Sequence, residues 1–174
     1  MSVMATETNK ITLLTADEEE FVVDEAIAME FGTVKTYYED NPDSCDEAIP
    51  LPNVTSKYLA KVIEYYKWHV EHRARKAPKP YEEEEDEEAK AFDEALFNTL
   101  DNEGMKQMIM AANYLDAKDL LEMLTQAVAD RIKNKSVEYV RKVFGIENDY
   151  TPEEEAELRK QNEWAFEDLD PDDN

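Results

Sequence analysis

Short β-type runs and helical patterns alternate over residues 1–73. Residues 10–23, KITLLTADEEEFVV, place two apolar runs on either side of a polar segment, which predicts a β-hairpin. A short helix is expected after Asp24, which would act as its N-cap, and another over 33–38. The prolines within 48–52 predict extended backbone, because each disfavours the α conformation of the preceding residue. Helical spacing of apolar residues then predicts a long helix from Thr55 to near Glu71.

The second half of the chain shows helical patterns alone. Apolar residues recur at helical spacing from Met105 onward. Asp116 and Ser136 are expected to cap the next two helices. The segment TPEE at 151–154 is typical of a helix start, since it has a capping Thr, a Pro at the first helical position and a Glu three residues after the cap.

The helix predicted after Thr151 is polar nearly throughout and then meets two large aromatic residues. Ala156 and Leu158 are its apolar members, so by itself it can bury little and would be marginal in water. Trp164 and Phe166 at its end are costly to expose. Two interpretations stay open: these aromatic residues fold back on the domain, or they await a protein partner.

Charge narrows the class of partner. The chain has 43 acidic against 19 basic residues and a formal net charge of −24 at pH 7. Nucleic acids and anionic membranes both attract basic surfaces, so this acidic chain is not expected to bind either of them. We expect a basic protein partner instead. The acidic run Glu82–Glu88 follows two prolines and predicts a disordered linker over 74–91. No apolar run approaches the roughly 20 residues that span a bilayer.

Residue types that carry chemistry are few. His69 and His72 are three residues apart on one predicted helix and Cys45 is distant in sequence, so a zinc site of three or four ligands is not expected. None of the three glycines belongs to a phosphate-binding loop. We therefore expect no catalytic residue, no metal and no cofactor. A single cysteine and an N-terminus unlike a secretory signal favour a reducing compartment, the nucleus and cytoplasm.

Longer motifs carry a family resemblance. AANYLDAKDLLEM, followed by TQAVADRIKNKSVEYVRKVFGIENDYTPEEEAELRKQNEWAFE, resembles the S-phase kinase-associated protein 1 family, the adaptor of SCF ubiquitin ligases. KITLLTADEEEFVVDEAIAME is similar to the family's opening strand–turn–strand–helix, and IPLPNVTSKYLAKVIEYYKWHVEH to its LPNV helix. The resemblance covers residues 10–167, and the WAFE ending is similar to the plant branch.

The resemblance implies an α/β fold, namely a BTB/POZ-type domain with additional C-terminal helices that bind the F-box. It also implies a non-catalytic adaptor that bridges a cullin scaffold to F-box substrate receptors for protein ubiquitination. The expected divisions are the two BTB/POZ-like halves at 10–73 and 92–133, the acidic disordered linker at 74–91, the F-box-binding helices at 134–167 and an acidic tail at 168–174.

Site residues carry over by position. Asn113 and Tyr114 match the family pair that contacts the cullin N-terminal domain. Without the resemblance, the pair is a helix end, with Asn tolerating the terminal conformation and Tyr half-buried. Core packing would explain three of the implied F-box positions equally well, namely Ile109, Leu121 and Val128. Trp164, in contrast, has little on its own helix to pack against. The implied F-box-binding residues are Ile109, Leu121, Val128, Phe144, Ile146, Asn148 and Trp164.

Several positions depart from the family pattern. Lys106 stands where the family usually has Phe, and Ala117 replaces a larger aliphatic residue. Glu18 replaces the Gly of the hairpin turn, and Gly145 and Glu147 replace a usual Asn and Lys. These changes predict a diverged member with a narrowed set of F-box receptors.

Three other functions remain alternatives at this point. One is a BTB-like helical scaffold that binds F-box proteins without a cullin. Another is bridging of other receptors in the manner of elongin C, which lacks the extension from Lys135 onward. The third is an acidic calcium buffer. BTB-type surfaces often pair, so a homodimer of the free chain also stays open.

Overall fold

The computed structural model describes residues 9–41, 47–75, 86–167 and 169–172 and divides into two compact units, Met1–Leu124 and Thr125–Asn174. Strands mix with helices in the first unit and helices alone follow, which confirms the predicted α/β class with additional C-terminal helices. The strands are β1 (Lys10–Thr15), β2 (Glu20–Asp24) and β3 (Ile49–Leu51). The helices are α1 (Glu25–Ala28), α2 (Gly32–Asp40), α3 (Ser56–Arg75), α4 (Glu87–Asn98), α5 (Asn102–Tyr114), α6 (Lys118–Ile132), α7 (Val137–Phe144), α8 (Pro152–Gln161) and the 3₁₀ helix Glu163–Phe166.

A small sheet opens the fold. β1 and β2 form the predicted antiparallel hairpin, in a register that pairs Ile11 with Val23 and Leu13 with Phe21. β3 runs parallel to β1 with Ile49 opposite Leu13, so the strand order is β2-β1-β3. Alternate side chains of a strand point to opposite faces, and the buried positions Ile11 and Leu13 share one face of β1.

The turn between β1 and β2 forms without the glycine that such turns usually use. Glu18 has φ of 61°, in the left-handed region that favours glycine. Thr15 closes the turn, because its N–H donates to the Glu19 carbonyl at 3.0 Å and its hydroxyl oxygen accepts from the Glu19 N–H at 3.1 Å. The turn therefore places a non-glycine residue in a costly conformation.

The same turn caps α3. The carboxylate of Asp17 accepts from the Ser56 N–H at 2.8 Å and from the Ser56 hydroxyl at 2.5 Å. The Ser56 hydroxyl is the main cause that lowers the pKa of Asp17 from 3.8 to about 2. A residue of the hairpin thus satisfies an N–H at the start of a helix 39 residues away in sequence.

The core of the first unit lies where α1, α3 and α5 pack together. The rings of Phe31 and Tyr66 meet edge to face with centroids 5.4 Å apart, and both side chains are fully buried. Burial raises the pKa of Tyr66 to about 12. Met108 and Leu120 are also fully buried, and each such side chain contributes roughly 1.5–3 kcal/mol to stability.

An aromatic and acidic cluster joins α4 to α3. The Trp68 ring stacks on Phe92 with centroids 4.4 Å apart. His69 Nε2 lies 2.8 Å from an oxygen of the buried Asp93, and His72 Nε2 lies 2.7 Å from Asp86. Both histidines are thus hydrogen-bonded to carboxylates, and His72 is buried.

The disorder predicted over 74–91 is wrong at both ends of that range. α3 continues through Arg75, and α4 begins at Glu87 with Asp86 as its N-cap, whose carboxylate accepts from the Ala89 N–H at 3.2 Å. Residues 86–88 of the acidic run therefore form the N-cap and the first turn of α4, where negative charge stabilises a helix. Residues 76–85 of the predicted linker lie outside the described residues.

Two of the predicted helix caps are confirmed, one is confirmed in its position alone, and one is wrong. Ser136 accepts from the Tyr139 N–H, and Thr151 forms the predicted capping box with Glu154. Asp24 occupies the N-cap position of α1 as predicted, but its side chain makes no capping hydrogen bond. Its carboxylate instead pairs with Lys10 across the hairpin at 3.3 Å. Asp116 lies two residues before α6 with φ of 50°, so it ends α5 and does not cap α6.

The second unit differs from the first in the burial of its side chains. None of its described side chains is buried, and the last fully buried residue of the described chain is Leu124. This change in burial falls within α6, whereas the sequence placed the domain boundary between 133 and 134. No helix in the described ranges has the length and apolar content needed to cross a membrane.

Candidate functional site

The first candidate site is the C-terminal end of α5. Asn113 is exposed and Tyr114 is half-buried. The helix ends in a Schellman motif, because the Ala117 N–H donates to the Ala112 carbonyl at 2.9 Å and the Asp116 N–H to the Asn113 carbonyl at 3.1 Å. The left-handed residue of this ending is Asp116, so Asn113 does not take the terminal conformation that the helix-end interpretation assigned to it.

The N-terminus of α2 meets this helix end. The Thr33 hydroxyl donates to the Tyr114 carbonyl at 2.6 Å, and the Thr33 N–H donates to the Leu115 carbonyl at 3.2 Å. The last carbonyls of a helix have no partner within it, so Thr33 satisfies two acceptors that would otherwise be left open. Sequence reasoning missed Thr33, since nothing local indicates a partner 81 residues away.

The exposed surface of α5 next to the pair contains two further residues. Met110 is 54% exposed and lies three and four residues before Asn113 and Tyr114, which places it on the same side of the helix. Lys106 is also exposed, with its ammonium 3.8 Å from Glu103. The lysine that replaces the family's usual Phe therefore lies at the surface of this helix.

The second candidate site is the apolar surface of the second unit. Phe144 is 50% exposed, Ile146 56% and Trp164 76%. Large apolar side chains that remain this exposed, in a unit where none of the described side chains is buried, are typical of a protein-interaction surface. Sequence reasoning did not single out other exposed apolar residues of this unit, which include Val137, Tyr150 and Leu169.

A network of charged side chains connects α7 with α8. Glu155 accepts from Arg141 at 3.1 Å, from Asn148 at 3.0 Å and from Arg159 at 3.2 Å. The bond from Arg141 is the main cause that lowers the pKa of Glu155. Arg159 also pairs with Glu138, so α7 and α8 are joined at two points. Asn148, predicted to contact the F-box, is thereby held in place by its neighbours.

Gly145 ends α7 in the left-handed conformation, with φ of 65°. The Ile146 N–H donates back to the Arg141 carbonyl at 2.9 Å, so the turn directs the chain from Phe144 to Ile146. Asn is the other residue that adopts this conformation readily, which explains why the family's usual Asn and the Gly of this chain suit the same position. Glu147 is exposed, and nothing in the structure explains its replacement of a usual Lys.

The aromatic residues after α8 take different environments. Phe166 is half-buried beneath the Arg159 guanidinium, which lies 4.8 Å from the ring centroid. Trp164 remains largely exposed. Phe166 thus packs against α8 itself, and the exposed ring of Trp164 fits the interpretation that it awaits a protein partner.

The acidic tail contacts the α6–α7 junction. The Asp170 N–H donates to the Asn134 carbonyl at 2.8 Å, and Lys135 donates to the Pro171 carbonyl at 2.6 Å. The Asp172 carboxylate accepts from the Ser136 hydroxyl at 2.5 Å, which is the main cause that lowers the pKa of Asp172. The described part of the tail is thus attached at the start of α7.

The remaining predicted F-box residues are half-buried. Ile109 and Leu121 lie in the first unit, and Val128 lies on α6 in the second. None of the three is fully buried, so each retains surface beyond its packing role. Within the described ranges, no three His, Cys, Asp or Glu side chains are grouped so that they could hold a metal ion.

Comparison with known proteins adds an independent line of evidence. The model of the Skp1 family tetramerisation domain matches residues 9–71, and that of the Skp1 family dimerisation domain matches residues 118–165. SKP1-like protein 1A of Arabidopsis thaliana is 50% identical over 159 residues, covering 91% of this chain and 98% of its own length. SKP1-like protein 18 of Arabidopsis thaliana is 48% identical, covering 91% of this chain and 97% of its own length. SKP1-like protein 1 of Oryza sativa subsp. japonica is 47% identical, covering 94% and 100%.

Proposed function

The chain belongs to the Skp1 family, and from this premise we propose that it is a non-catalytic adaptor that bridges a cullin scaffold to F-box substrate receptors in an SCF ubiquitin ligase. The observation that carries the proposal is the second unit, where large apolar side chains stay exposed and none of the described residues is buried. Such a surface is stabilised when a partner covers it.

The F-box side of the proposal rests on Trp164, Phe144 and Ile146. Aromatic and aliphatic residues with few charges between them make up the centre of protein interfaces, and Trp is enriched among the residues that dominate binding energy. The network around Glu155 holds α7 and α8 together before binding, which reduces the ordering that a partner must impose.

The cullin side rests on Asn113 and Tyr114. The exposed Asn113 and half-buried Tyr114 are accessible at a helix end that is fixed on its inner side. Both residues lie outside the two segments that the family models match, so their role depends on the resemblance of the AANYLD motif.

Two binding titrations test the proposal. The purified chain is titrated separately with a cullin N-terminal domain and with an F-box domain. Tyr114→Lys should lose cullin binding and keep F-box binding, because it changes only the end of α5. Tyr58→Lys is the matched control, since Tyr58 is another half-buried tyrosine of the first unit.

The outcomes separate the proposal from its alternative. Binding of both partners, with selective loss of the cullin in Tyr114→Lys, supports the adaptor. Binding of the F-box domain without the cullin would favour a scaffold that acts outside the ligase. The nuclear and cytoplasmic location, the narrowed receptor set and the homodimer of the free chain stay predictions.

A further inference from the structure

We propose that Thr33 is a positioning residue for the cullin contact, acting through the main chain of Tyr114. The inference rests on the proposed cullin role of the Asn113-Tyr114 pair and extends it to a second element, α2. It follows from three observations at the place where the start of α2 meets the end of α5.

The first observation is the pair of hydrogen bonds from Thr33. Its hydroxyl donates to the Tyr114 carbonyl at 2.6 Å and its N–H to the Leu115 carbonyl at 3.2 Å. The N–H belongs to the first turn of α2, and the two carbonyls belong to the last turn of α5 and its C-cap. One open N–H at the start of α2, together with the hydroxyl of the same residue, is therefore paired with two carbonyls at the end of α5.

The second observation is the close approach of Gly32 to Asp116. A Cβ at position 32 would overlap the side chain of Asp116, including its Cβ, so the contact requires glycine there. The carboxylate of Asp116 lies at the N-terminus of α2, where the helix dipole favours negative charge. This contact fixes the left-handed residue that ends α5.

The third observation is that the end of α5 is held from its buried side. Leu115 and Ala117 are fully buried and hold the chain after α5 from the inside, while Asn113 stays exposed. Thr33 bonds the main-chain carbonyl of Tyr114 and not its phenol. A bond of this kind sets where the ring points without occupying the surface that a partner would use.

The test compares three threonine variants of the full-length chain in titrations with a cullin N-terminal domain. Thr33→Val keeps the shape and removes the hydroxyl, and it should weaken binding about fivefold or more. Thr33→Ser restores the hydroxyl and should bind within about twofold of the unchanged chain. Thr36→Val is the matched control, because the Thr36 hydroxyl donates at 3.0 Å to Gly32 within its own helix.

Two further measurements complete the test. Amide hydrogen exchange should show faster exchange at Asp116 and Ala117 in Thr33→Val, and F-box binding should be unchanged. If Thr33→Val is too unstable to titrate, Thr33→Ala serves in its place, because it also removes the hydroxyl, and it should weaken cullin binding to the same extent.

The inference is overturned if Thr33→Val binds the cullin domain like the unchanged chain while Tyr114→Lys does not bind. It is also overturned if Thr33→Ser fails to restore binding, since the hydroxyl would then not be the relevant group. Failure of the unchanged chain to bind any cullin domain would refute the proposed cullin role itself, and the inference with it.

Discussion

Glu18 illustrates how a single residue can lower the stability of this chain. Its φ of 61° costs an ordinary residue about 1–2 kcal/mol, part of which glycine would return as greater freedom in the unfolded chain. We expect Glu18→Gly to raise the free energy of unfolding by about 0.5–1 kcal/mol in urea. Glu19→Gly is the control and should not stabilise, because Glu19 is not left-handed. An unchanged or lower stability for Glu18→Gly would contradict the turn described here.

The hydrogen bonds from Ser56 to Asp17 make the stability of α3 depend on pH. Its pKa is lowered from 3.8 to about 2, mainly by the Ser56 hydroxyl, so the folded state holds the charged form more strongly than the unfolded state. The resulting stability is present above pH 3.8 and is lost as the pH falls towards 2. Asp17→Asn should therefore be less stable than the unchanged chain at pH 6, and the difference should shrink on acidification. A difference that stays constant down to pH 2 would exclude this cap.

The join between α3 and α4 depends on a buried carboxylate. Asp93 is 4% exposed and its oxygen lies 2.8 Å from His69 Nε2. Asp93→Ala should lower the free energy of unfolding by about 1–3 kcal/mol, because it leaves the half-buried His69 without its hydrogen-bond partner. Glu94→Ala, at the exposed neighbouring position, should change it by less than about 0.5 kcal/mol. Equal effects of the two changes in urea titrations would show that the pair is not a stabilising contact.

The attachment of the tail to α7 is testable at the level of that helix. Asp172 places a carboxylate at the start of α7, where negative charge is stabilised by the helix dipole and by the Ser136 N–H and hydroxyl. Asp172→Ala should speed amide exchange in the first turn of α7 about two- to fivefold. Asp170→Ala should not, because Asp170 uses its main-chain N–H. Equal exchange in both variants would mean that the tail does not stabilise the helix.

Local sequence signals predicted the elements better than the contacts between them. The hairpin, the Ser136 cap and the Thr151 capping box each depend on residues a few positions apart, and all three are confirmed. The bonds from Thr33 to Tyr114 and from Ser56 to Asp17 join residues 81 and 39 positions apart, which no local pattern encodes. Asp116 was misassigned because Asp suits both an N-cap and a left-handed helix end, and only the packing of Ala117 decides between them.

The two units have different sources of stability. Buried aromatic and aliphatic side chains hold the first, whereas the second relies on caps and on ion pairs around Glu155, which are worth little where they are exposed to solvent. The second unit is therefore the part of the chain that gains most from a partner. The sequence indicated this difference for α8, which is polar nearly throughout, but not for α6 and α7, which carry apolar residues at helical spacing as the core helices do.

Trp164 is the residue at which this dependence on a partner should be largest. Its side chain is 76% exposed, so Trp164→Ala should leave the free energy of unfolding nearly unchanged. The same change should cost at least about 2 kcal/mol in binding an F-box domain, measured by calorimetry, if Trp164 is a central anchor. Val22→Ala, at an exposed apolar position of the first unit, is the control. A loss below about 0.5 kcal/mol would make Trp164 an accessory contact.

The adaptor role is tested most directly by assembly of three components. A cullin N-terminal domain is immobilised, and an F-box protein is applied with and without this chain. We expect the cullin domain to retain the F-box protein only when the chain is present. With the Tyr114→Lys variant, neither the chain nor the F-box protein should be retained. With the Trp164→Ala variant, the cullin domain should retain the chain without the F-box protein. Retention of the F-box protein by the chain in solution, but never of the chain by the cullin domain, would contradict the central claim that this molecule bridges the two.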